Sequence, residues 1–154
     1  MDYDPDIKCL KGTQDHVLRD IDDWMVREDV RRIFWLRGVT GSGKSTIAST
    51  VVGSSSQGER EEPAARGAVL GAKFFCKRNI TMPKHVIPAI AYDLACTFPL
   101  LKTPIANTVR THRSIATSPV KFQFMELLVK PLSSLDVLHN LPQLFVVLDA
   151  FDEC

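Results

Sequence analysis

The chain is predicted to fold as an α/β domain, a parallel sheet with flanking helices, and three observations predict it. Short unbroken apolar runs, RRIFWLRG, AVLGAKFFC and LFVVL, alternate with longer stretches whose apolar residues recur at helical spacing. Runs that are apolar on both faces suit strands covered by helices on each side, the setting of a parallel sheet. The two most distinctive polar clusters directly follow strand ends, where open α/β sheets bind ligands.

The elements follow in order. TQDHVLRDIDDWMVRE places Val17, Leu18, Ile21, Trp24 and Met25 at helical spacing. Thr13 is its expected N-cap and Asp15 stands in its first turn, with His16 where a full capping box has an acid. RRIFWLRG, ending at Gly38, reads as the first strand. KSTIASTVV sets Ile47, Ala48, Val51 and Val52 on one helical face. Gly53 to Gly67 is small, polar and punctuated by glycine and proline, and is expected to be a flexible surface loop without chemistry. Ala68 to Cys76 reads as the second strand. His85 to Thr97 reads as a helix with Pro88 in its first turn, where proline is tolerated. Phe98 to Ser118 is ambiguous, with a helix over Ile105 to Arg110 as one reading. Ser118-Pro119 predicts a helix start, N-cap then proline at the first position. Val120, Phe124, Leu127 and Leu128 then point inward, and the helix stops before Pro131. The third strand is Leu144 to Leu148. Residues 1–29 form an N-terminal segment and helix leading into a core over 30–154, with 53–67 as its loop.

At 154 residues the chain is one domain by size. Its 19 lysines and arginines nearly balance 18 acids, which argues against an electrostatically driven nucleic-acid or membrane-surface binder. No apolar run approaches the ~18 residues of a membrane span. The N-terminal MDYDPDIKCLKG lacks the apolar stretch of a secretory signal, so the expected compartment is the cytoplasm. Cys9, Cys76, Cys96 and Cys154 form no C-x-x-C pair and have no histidine at zinc-ligand spacing, so they read as reduced thiols. His16, His85, His112 and His139 read as exposed or simply packed. Lys77, Arg78 and Lys84 form a loose basic patch that reads as a solvated loop, with Arg78 able to approach a phosphate.

GVTGSGKS, Gly38 to Ser45, matches G-x-x-x-x-G-K-[ST] in full, with an apolar run before it and an amphipathic helix after it. A chance match over this length is on the order of half a percent from ordinary residue frequencies. The glycines let the backbone turn tightly and aim successive N–H groups inward as a nest for phosphate oxygens. The helix that follows adds its N-terminal partial positive charge. Gly38, Val39, Thr40, Gly41, Ser42, Gly43, Lys44, Ser45 and Thr46 are therefore the candidate phosphate-binding residues. Lys44 is expected on the β- and γ-phosphates and Ser45 on Mg²⁺, a hard cation that prefers oxygen.

Alone, VVLD followed by an acidic turn is an ordinary strand end. Coupled to the upstream loop, Asp149 becomes the expected second ligand of the Mg²⁺ held by Ser45, on the same edge of a parallel sheet. Asp152 and Glu153 lie close enough in sequence for one of them to orient or deprotonate an attacking water. Glu153 is the slightly preferred base and Asp152 the supporting contact.

These motifs together resemble the NACHT-type NTPases of filamentous and mushroom-forming fungi, a branch of the signal-transduction ATPases. The residues that carry the resemblance are CLKGT with the helix to Trp24, RIFWLRGVTGSGKSTIAST, LGAKFFCKR, VIPAIAYDLA and VVLDAFDEC. They cover most of the chain in the family's order, including small Ala150 after the metal aspartate and the acid pair two positions on. The resemblance implies a P-loop NTPase-type parallel sheet and an ATP- or GTP-dependent, Mg²⁺-requiring switch that hydrolyses slowly and works with neighbouring domains of a larger signalling protein. It implies Gly12 and Thr13 as contacts to the base or ribose. A nucleotide-binding module without turnover, an inactive truncated product, and a small-molecule kinase are the rival readings. In the family a further strand separates the loop's strand from the acidic strand. That strand is expected beyond Cys154, so the NTPase fold is expected to be incomplete. Ile33 to Leu36 then lacks its neighbour, at about 1–3 kcal/mol for each buried orphan backbone group, or closes the gap by direct pairing.

Overall fold

The computed structural model describes residues 6–27, 32–57, 68–77, 79, 81–133 and 143–153. Helix α1 (Asp15–Val26) and helix α2 (Lys44–Gln57) precede strand β1 (Ala68–Phe75). Helices α3 (Val86–Thr97), α4 (Pro99–Thr111) and α5 (120–132) then lead to strand β2 (Gln143–Asp149). The two strands pair in parallel, from Ala68 opposite Gln143 to Phe75 opposite Asp149. The described residues thus form an α/β arrangement of helices around a small two-stranded parallel sheet.

The register slips between Leu70 and Ala72, at Gly71. A β-carbon there would come 2.9 Å from Leu94 Cδ2 and 3.3 Å from Leu144 Cδ1. Glycine is what lets α3 settle this close to the sheet.

Each sheet face carries its own core. On one face Ala72, Phe74 and Cys76 pack with Val86, Ile90, Ala91 and Leu94 of α3, Leu101 and Ile105 of α4, and Leu127 and Leu128 of α5. On the other, Phe145 packs with Ile21 and Met25 of α1 and with Ile47 and Val51 of α2. Side chains alternate along a strand. Leu144 and Val146 accordingly join the first core, and Val147 joins the second with Phe145.

The run RRIFWLRG, expected as a strand ending at Gly38, pairs with neither β1 nor β2 over its described residues 32–38. Among the described residues, Ile33 to Arg37 make no backbone hydrogen bond. The strand alternation survives nonetheless. Phe34 and Leu36 turn in to the second core, Phe34 edge-to-face with Trp24 at 5.8 Å, while Ile33 and Trp35 point out, 75% and 70% exposed. Side-chain pattern drives burial, but a strand also needs a backbone neighbour, and among the described residues the segment has none.

Other expectations need correction. Thr13 is not the N-cap of α1: its hydroxyl donates to Leu10 O at 2.6 Å, and Gln14 caps the helix at φ 60°. Helix α2 runs through Gly53 to Gln57, residues expected in the loop, while 58–67 lie outside the described residues. Hydroxyls support that extension, Ser54 donating to Thr50 O at 2.9 Å and Ser55 to Val51 O at 2.8 Å, so these serines satisfy helical carbonyls instead of ending the helix. The ambiguous region holds α4, which starts at Pro99 and accommodates Pro104 while burying Leu101 and Ile105.

In α5, Pro119 rather than Ser118 is the N-cap, and the helix passes Pro131. Its middle, Met125–Val129, is a π-turn, closed by Lys130 N–H donating to Met125 O. The wider turn shifts the inward stripe. Gln123, Glu126, Leu127 and Leu128 are buried, while Val120 and Phe124 are largely exposed. Gln123 Nε2 donates to Ile115 O at 3.0 Å and Ala116 O at 3.1 Å. Glu126 pairs with Lys130 and lies 3.6 Å from His112 Nε2. The reading of four reduced thiols is also corrected: Cys9 and Cys96 are free, but Cys76 is held in a disulfide. Sequence spacing could not show that Cys76 ends β1 against the end of β2.

Candidate functional site

The loop before α2 is built by two glycines with left-handed backbone, Gly41 at φ 81° and Gly43 at φ 83°, a conformation open to glycine at little cost. Ser42 N–H donates to Val39 O at 3.2 Å, and Ile47 N–H to Gly43 O at 2.9 Å, which starts the helix. A β-carbon on Gly38 would come 2.6 Å from Ser42 Oγ, a contact that rotation of the serine hydroxyl can relieve. Lys44, the first residue of α2, folds its ammonium back over the loop, where Nζ donates to Gly38 O at 2.9 Å and Val39 O at 3.0 Å. Val39, Thr40 and Ser45 are exposed and Thr46 is half-buried. The Ser45 hydroxyl has no hydrogen-bond partner among the described residues.

The acidic cluster begins where β2 ends. Cys76 N–H donates to Asp149 O at 3.0 Å, extending the pairing of the strands by one bond. Strand alternation places Asp149 on the face of Phe145 and Val147, the face covered by α2. Its carboxylate is half-buried and makes no hydrogen bond or ion pair among the described residues. Ala150 then takes φ 53°, a left-handed conformation that costs an L-residue about 1–2 kcal/mol. A tight 3₁₀ turn, Phe151–Glu153, follows, with Asp152 exposed. The Glu153 side chain lies outside what is described.

Helix α1 reaches both β2 and the glycine loop. Near its C-terminal end, Met25 O accepts from Gln143 Nε2 at 3.1 Å, at the start of β2. At its N-terminal end, Gln14 Nε2 stands 3.9 Å from where a β-carbon of Gly43 would be. Helix α2, which the glycine loop heads, packs Ile47 and Val51 with Phe145, on the face of the sheet that carries Asp149. Among the described residues no hydrogen bond or ion pair joins Asp149 or Asp152 to Lys44 or Ser45.

Gly12, at φ 84°, and Thr13 form the turn that delivers Gln14 to the loop, and Cys9 N–H fastens this segment to α2 through Thr50 Oγ1 at 2.8 Å. Gln14 itself was missed by sequence reasoning, and its position beside Gly12 and Thr13 was the available signal. Arg78 falls outside the described residues. A cavity of about 290 Å³ lined by Trp24, Arg27, Arg32 and Gln143 sits at the opposite end of β2, away from both clusters.

The fold and site together describe an α/β protein with a glycine-rich loop heading one helix and acidic residues at and after the end of a partly buried strand. A family model described as nephrocystin 3, N-terminal, matches residues 12–154, and the chain belongs to that family. No curated protein and no solved structure matches it. Among the described residues, no helix is long and apolar enough to cross a membrane.

Proposed function

We propose that the chain carries a nucleoside-triphosphate site of the NACHT, P-loop type, similar to that of the fungal switch ATPases, binding ATP or GTP with Mg²⁺ and hydrolysing it slowly. The observation that carries this reading is that the glycine loop heads the helix packed on the face of the sheet that carries Asp149. The residues suit the ligand. The ammonium of Lys44 rests on the carbonyls of its own loop, contacts it can exchange for phosphate oxygens. The loop amides and the start of α2 offer partial positive charge to the same anion. Ser45 and Asp149 bring a hydroxyl and a half-buried acid, both without side-chain partners among the described residues and both suited to a hard cation. When bound, Mg²⁺ neutralises charge on the β- and γ-phosphates. Asp152 or Glu153 positions the water and accepts its proton, and Gly12, Thr13 and Gln14 border the base or ribose.

The same reading gives the sheet one more strand, lying between β2 and the segment around Phe34 and Leu36. That segment keeps strand alternation and makes no backbone hydrogen bond among the described residues, which supports the added strand. The protein is then a cytoplasmic switch whose partners are neighbouring domains of a longer signalling chain, without nucleic acid or membrane contacts.

Thermal unfolding with and without ATP–Mg²⁺ or GTP–Mg²⁺ tests the reading. A ligand at 100 times its Kd stabilises the folded state by about 2.7 kcal/mol. A rise in Tm that Lys44→Ala removes, without lowering the unliganded Tm, supports it. A cooperative transition indifferent to both nucleotides overturns it. Phosphate release from the wild-type chain then separates a slow hydrolase from a module that only binds.

A further inference from the structure

We propose that the outer surface of α5, with the end of α4 beside it, is a docking face for an acidic amphipathic helix of a protein partner. Helix α5 is inverted through its middle. Polar Gln123 and Glu126 are buried, while Phe122, Phe124 and Met125 face solvent at 39%, 46% and 41% exposure. A helix covering a core ordinarily turns its apolar residues in and its charged ones out. Single exposed apolar side chains are common, but a contiguous set marks an interaction surface. Here the set is contiguous. Phe122, Met125 and half-buried Val129 follow at i, i+3 and i+7 along one stripe of α5. The Phe122 ring packs edge-to-face on His112 at 5.3 Å, and exposed Val109 lies three residues before that histidine at the end of α4. Thr108 Oγ1 donates to Glu126 O at 3.3 Å and ties the two helices together.

Charge selects the partner. From Pro99 to Ser133 the chain carries Lys102, Arg110, Arg113, Lys121 and Lys130 but a single acid, Glu126, although the whole chain is nearly balanced at +1. Glu126 is buried and committed to Lys130, with His112 Nε2 at 3.6 Å. The other four cations are exposed and form no ion pair among the described residues. Lys121 directly precedes Phe122 on α5, and Lys102 sits two turns before Val109 on the same side of α4. An apolar stripe edged by uncompensated cations complements a helix with apolar residues at i, i+3, i+4 and i+7 and carboxylates on its flanks. The unbranched side chain of Met125 can adapt its shape to such a partner. A second copy of this chain fits poorly, because a two-fold interface sets the same cations against each other. The face belongs to the α3–α5 side of the sheet, opposite α2 and the glycine loop, and stands independently of nucleotide binding.

The test titrates the full chain into fluorescein-labelled model peptides of about 20 residues, long enough to form a helix. One peptide carries a leucine stripe with glutamate flanks, a second the same stripe with lysine flanks, and a third the glutamates with the leucines scattered. Only the first is expected to raise the fluorescence anisotropy, and added salt weakens its binding. Lys121→Glu and Arg113→Glu, changes at exposed positions, each weaken it by about tenfold and leave the unliganded Tm in place. Met125→Gln weakens it as well, and if that variant folds poorly the two charge reversals carry the test. Equal binding of the second or third peptide, binding unaffected by the reversals, or no binding at all overturns the proposal. Tighter binding to phosphatidylserine–phosphatidylcholine vesicles, lost on Lys121→Glu, overturns it in favour of a membrane surface. A dimer in analytical ultracentrifugation that Phe124→Ser dissolves overturns it in favour of a second copy.

Discussion

The two faces of the sheet differ in how fully they are closed. Among the described residues, counted the same way on both sides, the face under α3, α4 and α5 buries thirteen in one cluster, with Leu101 fully inaccessible. The face under α1 and α2 buries five, and beside it the outer side chains of an unpaired extended segment, Ile33 and Trp35, are open to solvent. Both faces have apolar strands and amphipathic helices. They differ in backbone neighbours, because three consecutive helices seal one side while the other leaves an extended segment without its ladder. Apolar content alone therefore does not close a core. The completed side carries the stability, and the open side carries the candidate chemistry.

The largest expected effect tests this contrast directly. Leu94→Ala, in the closed core, should cost about 2–5 kcal/mol by urea denaturation, and Ile47→Ala, on the open face, should fall at or below about 2 kcal/mol because its surroundings can relax. Equal losses would mean the two faces are equally tight. An intermediate effect is expected at Ala150. Glycine there should stabilise by up to about 1 kcal/mol, and valine should destabilise by about 1–2 kcal/mol, since a β-branched residue fits the left-handed region poorly. If both variants leave stability unchanged, the reversal after β2 is not left-handed in solution. The smallest effect belongs to Trp35→Thr, expected within about 0.5 kcal/mol because that side chain packs on little. A loss above 2 kcal/mol would show that the open face is covered in the isolated chain.

Much of this architecture was legible in the residues. β1, β2, α3 and the glycine loop at the head of α2 stand within a residue or two of where periodicity and turn chemistry put them. Each is specified locally. The misses share a cause, which is that a distant partner decides them. Whether Ile33 to Leu36 becomes a strand depends on a neighbour, which its own alternation cannot reveal. Helix α4 holds two prolines because burial of Leu101 and Ile105 outweighs local propensity. The π-turn rotates Gln123 into the interior, where a polar residue is expected only if its amide finds carbonyls, as it does at Ile115 and Ala116. For the site, the glycine-rich loop was readable from spacing, whereas its place on the same sheet face as Asp149 became visible only through the packing of α2 with Phe145.

The pairing of β1 with β2 also has a consequence for biosynthesis. Every rung joins residues separated by the whole α3–α4–α5 crossover, beginning with Ala68 and Gln143. At ribosomal rates of about 5–20 residues per second, β1 emerges some 4–15 s before its partner. Throughout that interval its hydrogen-bonding edge is open to any passing strand. The strand's other edge is partly covered from the start: Asp93 of α3, made early and locally, accepts the Lys73 N–H through Oδ2 at 3.2 Å, three residues from the Cys76 N–H that bonds the β2 side.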